Sequence, residues 1–344
     1  MRWEYDQREL KKRHALRISR GVSASSTNLF VTVQTKNYFG IGEAAPGTGA
    51  ATADLCQQQL TEFINTQDGI TLNPFDSWFA AREAAIAPCA WAAVDIALWD
   101  LHGKIVGQPL HQLLGLPNRA VATSVTIGIL PPDEVRERVA EILDLTDAKF
   151  LKIKLGSPSG IDADQMMYMQ VWESVQGSNV GLRVDANGGW TLSDARRMIS
   201  WLSEHNCDYV EQPLNTNDDD QLEELFRNRA LPIFVDESVN FSTDIPRLAR
   251  FIDGVNLKLM KCGGITEALR IVATARAHKL GTMIGCMGES SVSIAAGAAI
   301  GALFDHIDLD SHLNLDPDPA SGLDLKDGVV CMESVPGHGA SLLC

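Results

Sequence analysis

The chain has 344 residues, with 29 Lys and Arg against 44 Asp and Glu, and a formal net charge of −15. That length allows a large core and more than one domain, and that charge argues against a nucleic-acid partner or an anionic membrane surface. No stretch reaches the roughly 18 uninterrupted apolar residues of a membrane span, the charged start MRWEYDQRELKKR does not read as a signal peptide, and the seven scattered cysteines hold no CxxC pair, so a reducing cytoplasm is the expected compartment.

Taken in order, residues 2–45 read as a strand meander. Leu29–Gln34 is β-rich, Asn37–Gly40 is a turn before Ile41–Ala44, and Ser23–Asn28 is a small polar loop. From Ala50 to about Gly115 the pattern is helical, most clearly over Ala90–Trp99, and Gly103 and Gly107-Gln108-Pro109 punctuate its end. This block is expected to form an α+β capping domain over residues 1–118.

After Leu116-Pro117 the rhythm changes. Short β-rich runs near 121–127, 150–155, 181–185, 208–211, 232–236, 254–259, 282–286 and 306–309 alternate with helices, among them Asp133–Leu143, Ser193–Glu204, Asp220–Arg229 and Thr266–Lys279. Such alternation argues for parallel βα units, and eight strands suggest a closed barrel over residues 119–315. The fold class is therefore α/β, a TIM-like barrel with a cap. The Gly/Pro-rich tail, 316–344, has one strand at Gly328–Met332 and is expected to return to the cap.

Five of the apolar runs end in a charge: FLKIKLG, GLRVDAN, CDYVEQP, PIFVDES and GVNLKLM. The charges Lys154, Asp185, Glu211, Asp236 and Lys258 lie 31, 26, 25 and 22 residues apart, one per unit. In a parallel barrel the C-terminal strand ends form the site-bearing rim. Three adjacent carboxylates repel unless a cation neutralises them, and all-oxygen donors favour a hard ion such as Mg²⁺. The alternative is three unrelated helix caps, but Asn187, Ser193 and Ser238 are better placed to cap. Lys152 and Lys154, at i and i+2, face one side of their strand, and two close ammoniums should lower a pKa toward that of a general base. Lys258 stands across the barrel. Asp308 and Asp310 are a second i, i+2 pair that could hold an ammonium group or simply precede a helix. Cys286 and Met287 are expected as pocket walls. His102, His278, His306 and His312 show no ligand spacing.

The segments KIKLG, RVDANGGW, YVEQPL, VDESV and VNLKLMKCGGI, with PCAWAAVDIALWDLHGKIVGQPLHQLLG and SVTIGI, resemble the enolase superfamily in its muconate-lactonising subgroup. The resemblance implies a modified TIM barrel, (β/α)7β, under an α+β cap, with Mg²⁺ on Asp185, Glu211 and Asp236 and with Lys154 and Lys258 as bases on opposite faces of the substrate carbon. HIDLDSHLNL resembles the Asp-x-Asp element of dipeptide epimerases, including L-Ala-D/L-Glu epimerases, which implies that Asp308 and Asp310 grip a substrate ammonium. Lys152, Thr126, Cys286 and Gly288 are then expected beside the dipeptide. The reading is an isomerase that inverts the C-terminal residue of a dipeptide. An o-succinylbenzoate synthase or cycloisomerase on the same fold, or a non-catalytic anion-binding barrel, are the alternatives. Homo-oligomers are compatible with it. Alanyl-glutamate epimerases tend to carry a basic residue in the first cap loop. Here Arg20 is the only charge in Arg20–Thr27 and Ala44–Ala50 has none, so uncharged side chains are expected to be preferred.

Overall fold

The computed structural model describes residues 1–47, 51–66 and 73–343; Thr48, Gly49 and Ala50, the charge-free end of the second cap segment, lie outside them. The chain opens with an antiparallel meander of β1 (Arg2–Ile18), β2 (Gly21–Gln34) and β3 (Phe39–Ala44). Period-two alternation decides which side of β1 faces the molecule: Leu10, Lys12, His14, Leu16 and Ile18 turn in while their neighbours stay exposed. Ser23–Asn28 is strand, not loop, because Ser25, Ser26, Thr27 and Asn28 pair with Lys11, Leu10, Glu9 and Arg8. Small polar residues have little strand preference of their own, and the long partner strand supplies the ladder.

Helices α1 (Ala53–Thr66), α2 (Pro74–Glu83), α3 (Pro88–Val106) and α4 (Leu110–Leu113) follow. Proline at the start of α3 and the left-handed Gly107 at its end bound the helix. Most of α3 is buried, because it lies between β3 on one side and the start of a barrel helix on the other.

The barrel strands are β4 (Ser124–Ile127), β5 (Phe150–Lys154), β6 (Gly181–Asp185), β7 (Cys207–Glu211), β8 (Ile233–Val235), β9 (Gly254–Lys258), β10 (Gly281–Gly285) and β11 (His306–Asp308). All pair in parallel in sequence order, and a parallel bridge from Thr123 to Ile307 brings the last strand beside the first. The outer layer comprises α5 (Pro132–Leu145), α6 (Ile161–Ser174), α7 (Leu192–Ser203), α8 (Leu222–Phe226), α9 (Ile245–Leu248), α10 (Leu259–Cys262), α11 (Ile265–Ala277) and α12 (Ser291–Ala299). Two local expectations fail. The helix over Asp220–Arg229 is a 3-10 turn, Thr216–Gln221, followed by the short α8. Thr191, not Ser193, caps α7, accepting from the Asp194 amide.

The tail holds four short strands instead of one: β12 (Ala320–Ser321), β13 (Leu323–Lys326), β14 (Val329–Met332) and β15 (Ser341–Leu342). It touches the meander through the Asp316 amide on the Lys11 carbonyl (3.0 Å) and through His338 on the Ile41 carbonyl (2.9 Å). No helix among the described residues is long and apolar enough to cross a membrane.

Candidate active site

The rim of the barrel gathers the charges that end its strands. Register sets Lys154 beside Asp185, and Asp185 beside Glu211, on neighbouring strands. Asp185, Glu211 and Asp236 are fully buried, and one oxygen from each lies within 4.8 Å of the others. A buried cluster of three acids needs positive charge. Lysines supply part of it: Lys154 Nζ is 2.6 Å from Asp185, Lys152 Nζ is 2.8 Å from Glu211, and Lys258 Nζ is 2.8 Å from Asp236. The donor set is all oxygen and anionic, which fits a hard divalent cation.

These pairings set the proton equilibria. Burial opposes the charge on Lys152, but Asp308, Glu211 and Asp185 outweigh it and push its pKa well above the ordinary lysine value. The expectation that two neighbouring ammoniums bring a pKa down therefore fails for Lys152, because three carboxylates stand nearer than the repulsion can offset. Lys258 is likewise raised, with burial overcome by Asp236. Burial would raise Asp236, yet Lys258 and Lys261 hold it well below the usual carboxylate range. Glu211 goes the other way, pushed up to about 7 by burial and by the charge of Asp185.

The acid pair after β11 is close by. Asp308 accepts from Lys152 at 2.5 Å through one oxygen, and its other oxygen is buried without a partner among the described residues. Asp310 accepts from the Thr126 amide at 2.6 Å. Burial, then the charge of Asp308, push Asp310 up to about 6. A cavity of about 1390 Å³ opens above this rim, roofed by β1 and β2, and Thr126, Lys154, Lys258, Cys286, Gly288, Asp308 and Asp310 all line it. Lys152 lies deeper, beneath the acids that it joins. His306 and His312 are held near a pKa of about 4, His306 by burial and then by Arg183, His312 by burial alone.

Lys261, Asn256 and Lys12 carried no expectation from the sequence, and Asn187 was expected only as a helix cap. Lys261 contacts Asp236 at 2.5 Å and also donates to its carbonyl. Asn187 holds Asp185 through its amide (2.7 Å) and its carboxamide (3.0 Å), and Asn256 donates to Glu211 at 2.7 Å. The i, i+2 spacing of Asn256 and Lys258 was the available signal for the last. Lys12 also lines the cavity. Arg20 does too, but its guanidinium is engaged, 2.6 Å from Glu237 and 2.9 Å from the Asn187 carbonyl.

The family model for enolase C-terminal domain-like proteins matches residues 134–343, and that for the N-terminal domain of mandelate racemase and muconate lactonizing enzymes matches residues 6–115. The chain belongs to the enolase superfamily. A hydrophobic dipeptide epimerase of Roseobacter litoralis is 59% identical to it over 344 residues, 99% of each chain. A hydrophobic dipeptide epimerase of a Flavobacteria bacterium is 54% identical, covering 99% of this chain and 98% of that one. Among solved structures, the dipeptide epimerase of Enterococcus faecalis, complexed with Mg and L-Leu-L-Tyr, superposes with a TM-score of 0.90 at 32% identity, covering 98% of each chain.

Proposed function

We propose that this chain is a Mg²⁺-dependent dipeptide epimerase that inverts the α-carbon of the substrate's C-terminal residue. The observation that carries it is the pair of lysines, Lys154 and Lys258, held at two different acids of one carboxylate cluster and both facing one cavity. Inversion needs a base on one side of the carbon and an acid on the other. One lysine, as the amine, takes the α-proton; the other, as the ammonium, returns a proton to the opposite face. Asp185, Glu211 and Asp236 would hold the Mg²⁺, which would supply positive charge to the substrate carboxylate as the enediolate forms. Lys152 adds a fixed positive charge beneath the same group. Asp308, with its unpartnered oxygen, and Asp310, aimed by Thr126, receive the substrate's ammonium.

The dipeptide class is supported by the names of the relatives and by the dipeptide in the E. faecalis complex. Their description as hydrophobic agrees with a cavity whose Arg20 is already paired, so uncharged side chains are preferred at the inverted residue. A reducing cytoplasm is inferred from the seven scattered cysteines, which hold no CxxC pair.

The test is incubation of the enzyme with L-Ala-L-Phe in D₂O. Deuterium enters the phenylalanine α-position as the L,D isomer appears, excess chelator stops both, and Mg²⁺ restores them. Undiminished turnover in chelator, or inversion with no deuterium uptake, overturns the proposal.

A further inference from the structure

The cavity holds a cation that the reaction does not use. Lys12, on the inward side of β1, is half-buried, and its ammonium meets only Ser23, at 2.7 Å to the hydroxyl and 3.4 Å to the carbonyl. No carboxylate lies within 4.0 Å of it among the described residues, unlike Lys152, Lys154, Lys258 and Lys261. An ammonium has three donors, so part of this one remains open. Beside it the Ser26 hydroxyl is buried with no hydrogen-bond partner. Both converge on Gly288: a methyl there would sit 3.4 Å from the Ser26 hydroxyl and 3.9 Å from Lys12 Nζ. Glycine thus leaves a gap of about one side-chain atom between two unspent donors.

The place of this gap fixes what would fill it. Gly285 pairs with Asp308 across the sheet, and Cys286 lies 3.9 Å from Asp310, so the 286–288 segment borders the acid pair that receives the ammonium. The Asn28 carboxamide ties β2 to the Gly288 carbonyl at 2.7 Å, which holds the roof over it. Gly288, Ser26 and Lys12 therefore stand next to the place where a dipeptide's ammonium would be held, on the wall nearest the side chain borne by the same carbon. Acid pair and lysine then alternate in sign, as do the ammonium and side-chain carboxylate of an acidic residue.

We propose that Lys12, with Ser23, Ser26 and Gly288, forms a subsite for the side chain of the first residue, and that it favours a first residue carrying a carboxylate. The proposal rests on the dipeptide epimerase reading, and its test separates the two. The kcat/KM ratio of L-Asp-L-Phe to L-Ala-L-Phe is measured for wild type, Lys12→Met and Gly288→Ala, with calorimetric binding of L-Asp-L-Phe alongside. Methionine keeps the apolar stem, and the alanine methyl makes only ordinary contacts, so both variants should fold. The ratio should fall about tenfold in Lys12→Met, the effect of losing one charge-assisted hydrogen bond at a half-buried site. It should fall in Gly288→Ala too, and calorimetry should show L-Asp-L-Phe binding weakened in both. Absence of any epimerisation would defeat the epimerase reading, and the calorimetry would still decide the subsite. An unchanged ratio, or equal binding of L-Asp-L-Phe by wild type and Lys12→Met, overturns it.

Discussion

Lys154 and Lys258 each serve twice, as candidate bases and as counter-charges to an acid of the cluster. Removing either should cost about a thousandfold or more in net epimerisation, within the range for a general acid or base. The remaining lysine can still abstract the α-proton from one isomer. Lys154→Ala and Lys258→Ala should therefore exchange deuterium into opposite stereoisomers, read by mass; wild-type epimerisation by both would sink the two-base assignment. Asp310 gives a pH signature. Its pKa of about 6 means the free enzyme loses that negative charge on acidification, so kcat/KM should drop below about pH 6. In Asp310→Asn, KM should rise by a similar factor for all dipeptides, as expected when uniform binding is lost. The low-pH fall should also shrink in that variant, and an unaltered pH profile would reassign it. That the strand-end charges gather in one place was legible, because a charge closing an apolar run, as in FLKIKLG or PIFVDES, is expensive to bury unless it is paired. Lys261 and Lys12 were not. In LKLMKC and ELKKRH they read as ordinary solvated lysines, and only the folded chain sets one at Asp236 and the other under the roof.

At the level of elements, strand–helix alternation set the barrel strands to within two or three residues, since buried parallel strands are short apolar runs with clear ends. What escaped was pairing decided by a distant partner, as in Ser23–Asn28 and the short strands of the tail. Contact between layers was equally hidden. Strand β3 lies so near α3 that a Cβ on Gly42 would sit 1.9 Å from the Ala93 carbonyl oxygen, and one on Gly40 2.0 Å from that of Ala97. Both obstacles are helix backbone, which cannot turn aside as a side chain could. Gly42→Ala should therefore force the sheet off the helix and cost about 3 kcal/mol in urea unfolding, the upper end of overpacking. A loss under about 1 kcal/mol would mean the two layers part more easily than this packing implies. Because the buried Glu43 beside it binds the Ser290 amide and hydroxyl at the start of α12, a shift of β3 also pulls on the loop that carries Gly288. KM should rise in the same variant.

Over the whole molecule, the barrel rim carries the acid cluster and the candidate bases, and the meander supplies the roof of the cavity. The net charge of −15 alone would suggest an acidic site welcoming cationic side chains. The cavity argues otherwise, because its charges are mostly spent on one another. Arg20 is held by Glu237 and by the Asn187 carbonyl, and His14 and Arg138 both meet Glu141, at 2.9 and 2.7 Å. Leu16, Ile18, Val22, Leu214 and Met287 supply apolar wall between them. A glutamate side chain at the inverted residue that reached Arg20 would have to displace Glu237, and a lysine that reached Glu237 would have to displace Arg20. Either exchange breaks one ion pair to make another, with desolvation of the incoming charge as an added cost. An aromatic or aliphatic side chain disturbs neither pair and buries apolar surface worth about 25 cal/mol per Å². L-Ala-L-Phe should therefore exceed both L-Ala-L-Glu and L-Ala-L-Lys in kcat/KM by at least about tenfold, equivalent to roughly 1.4 kcal/mol. Glu237→Gln should narrow the gap to L-Ala-L-Glu by freeing Arg20. A lead for L-Ala-L-Glu in the wild type would show that Arg20 leaves Glu237 when substrate binds, and would refute this account of the pocket.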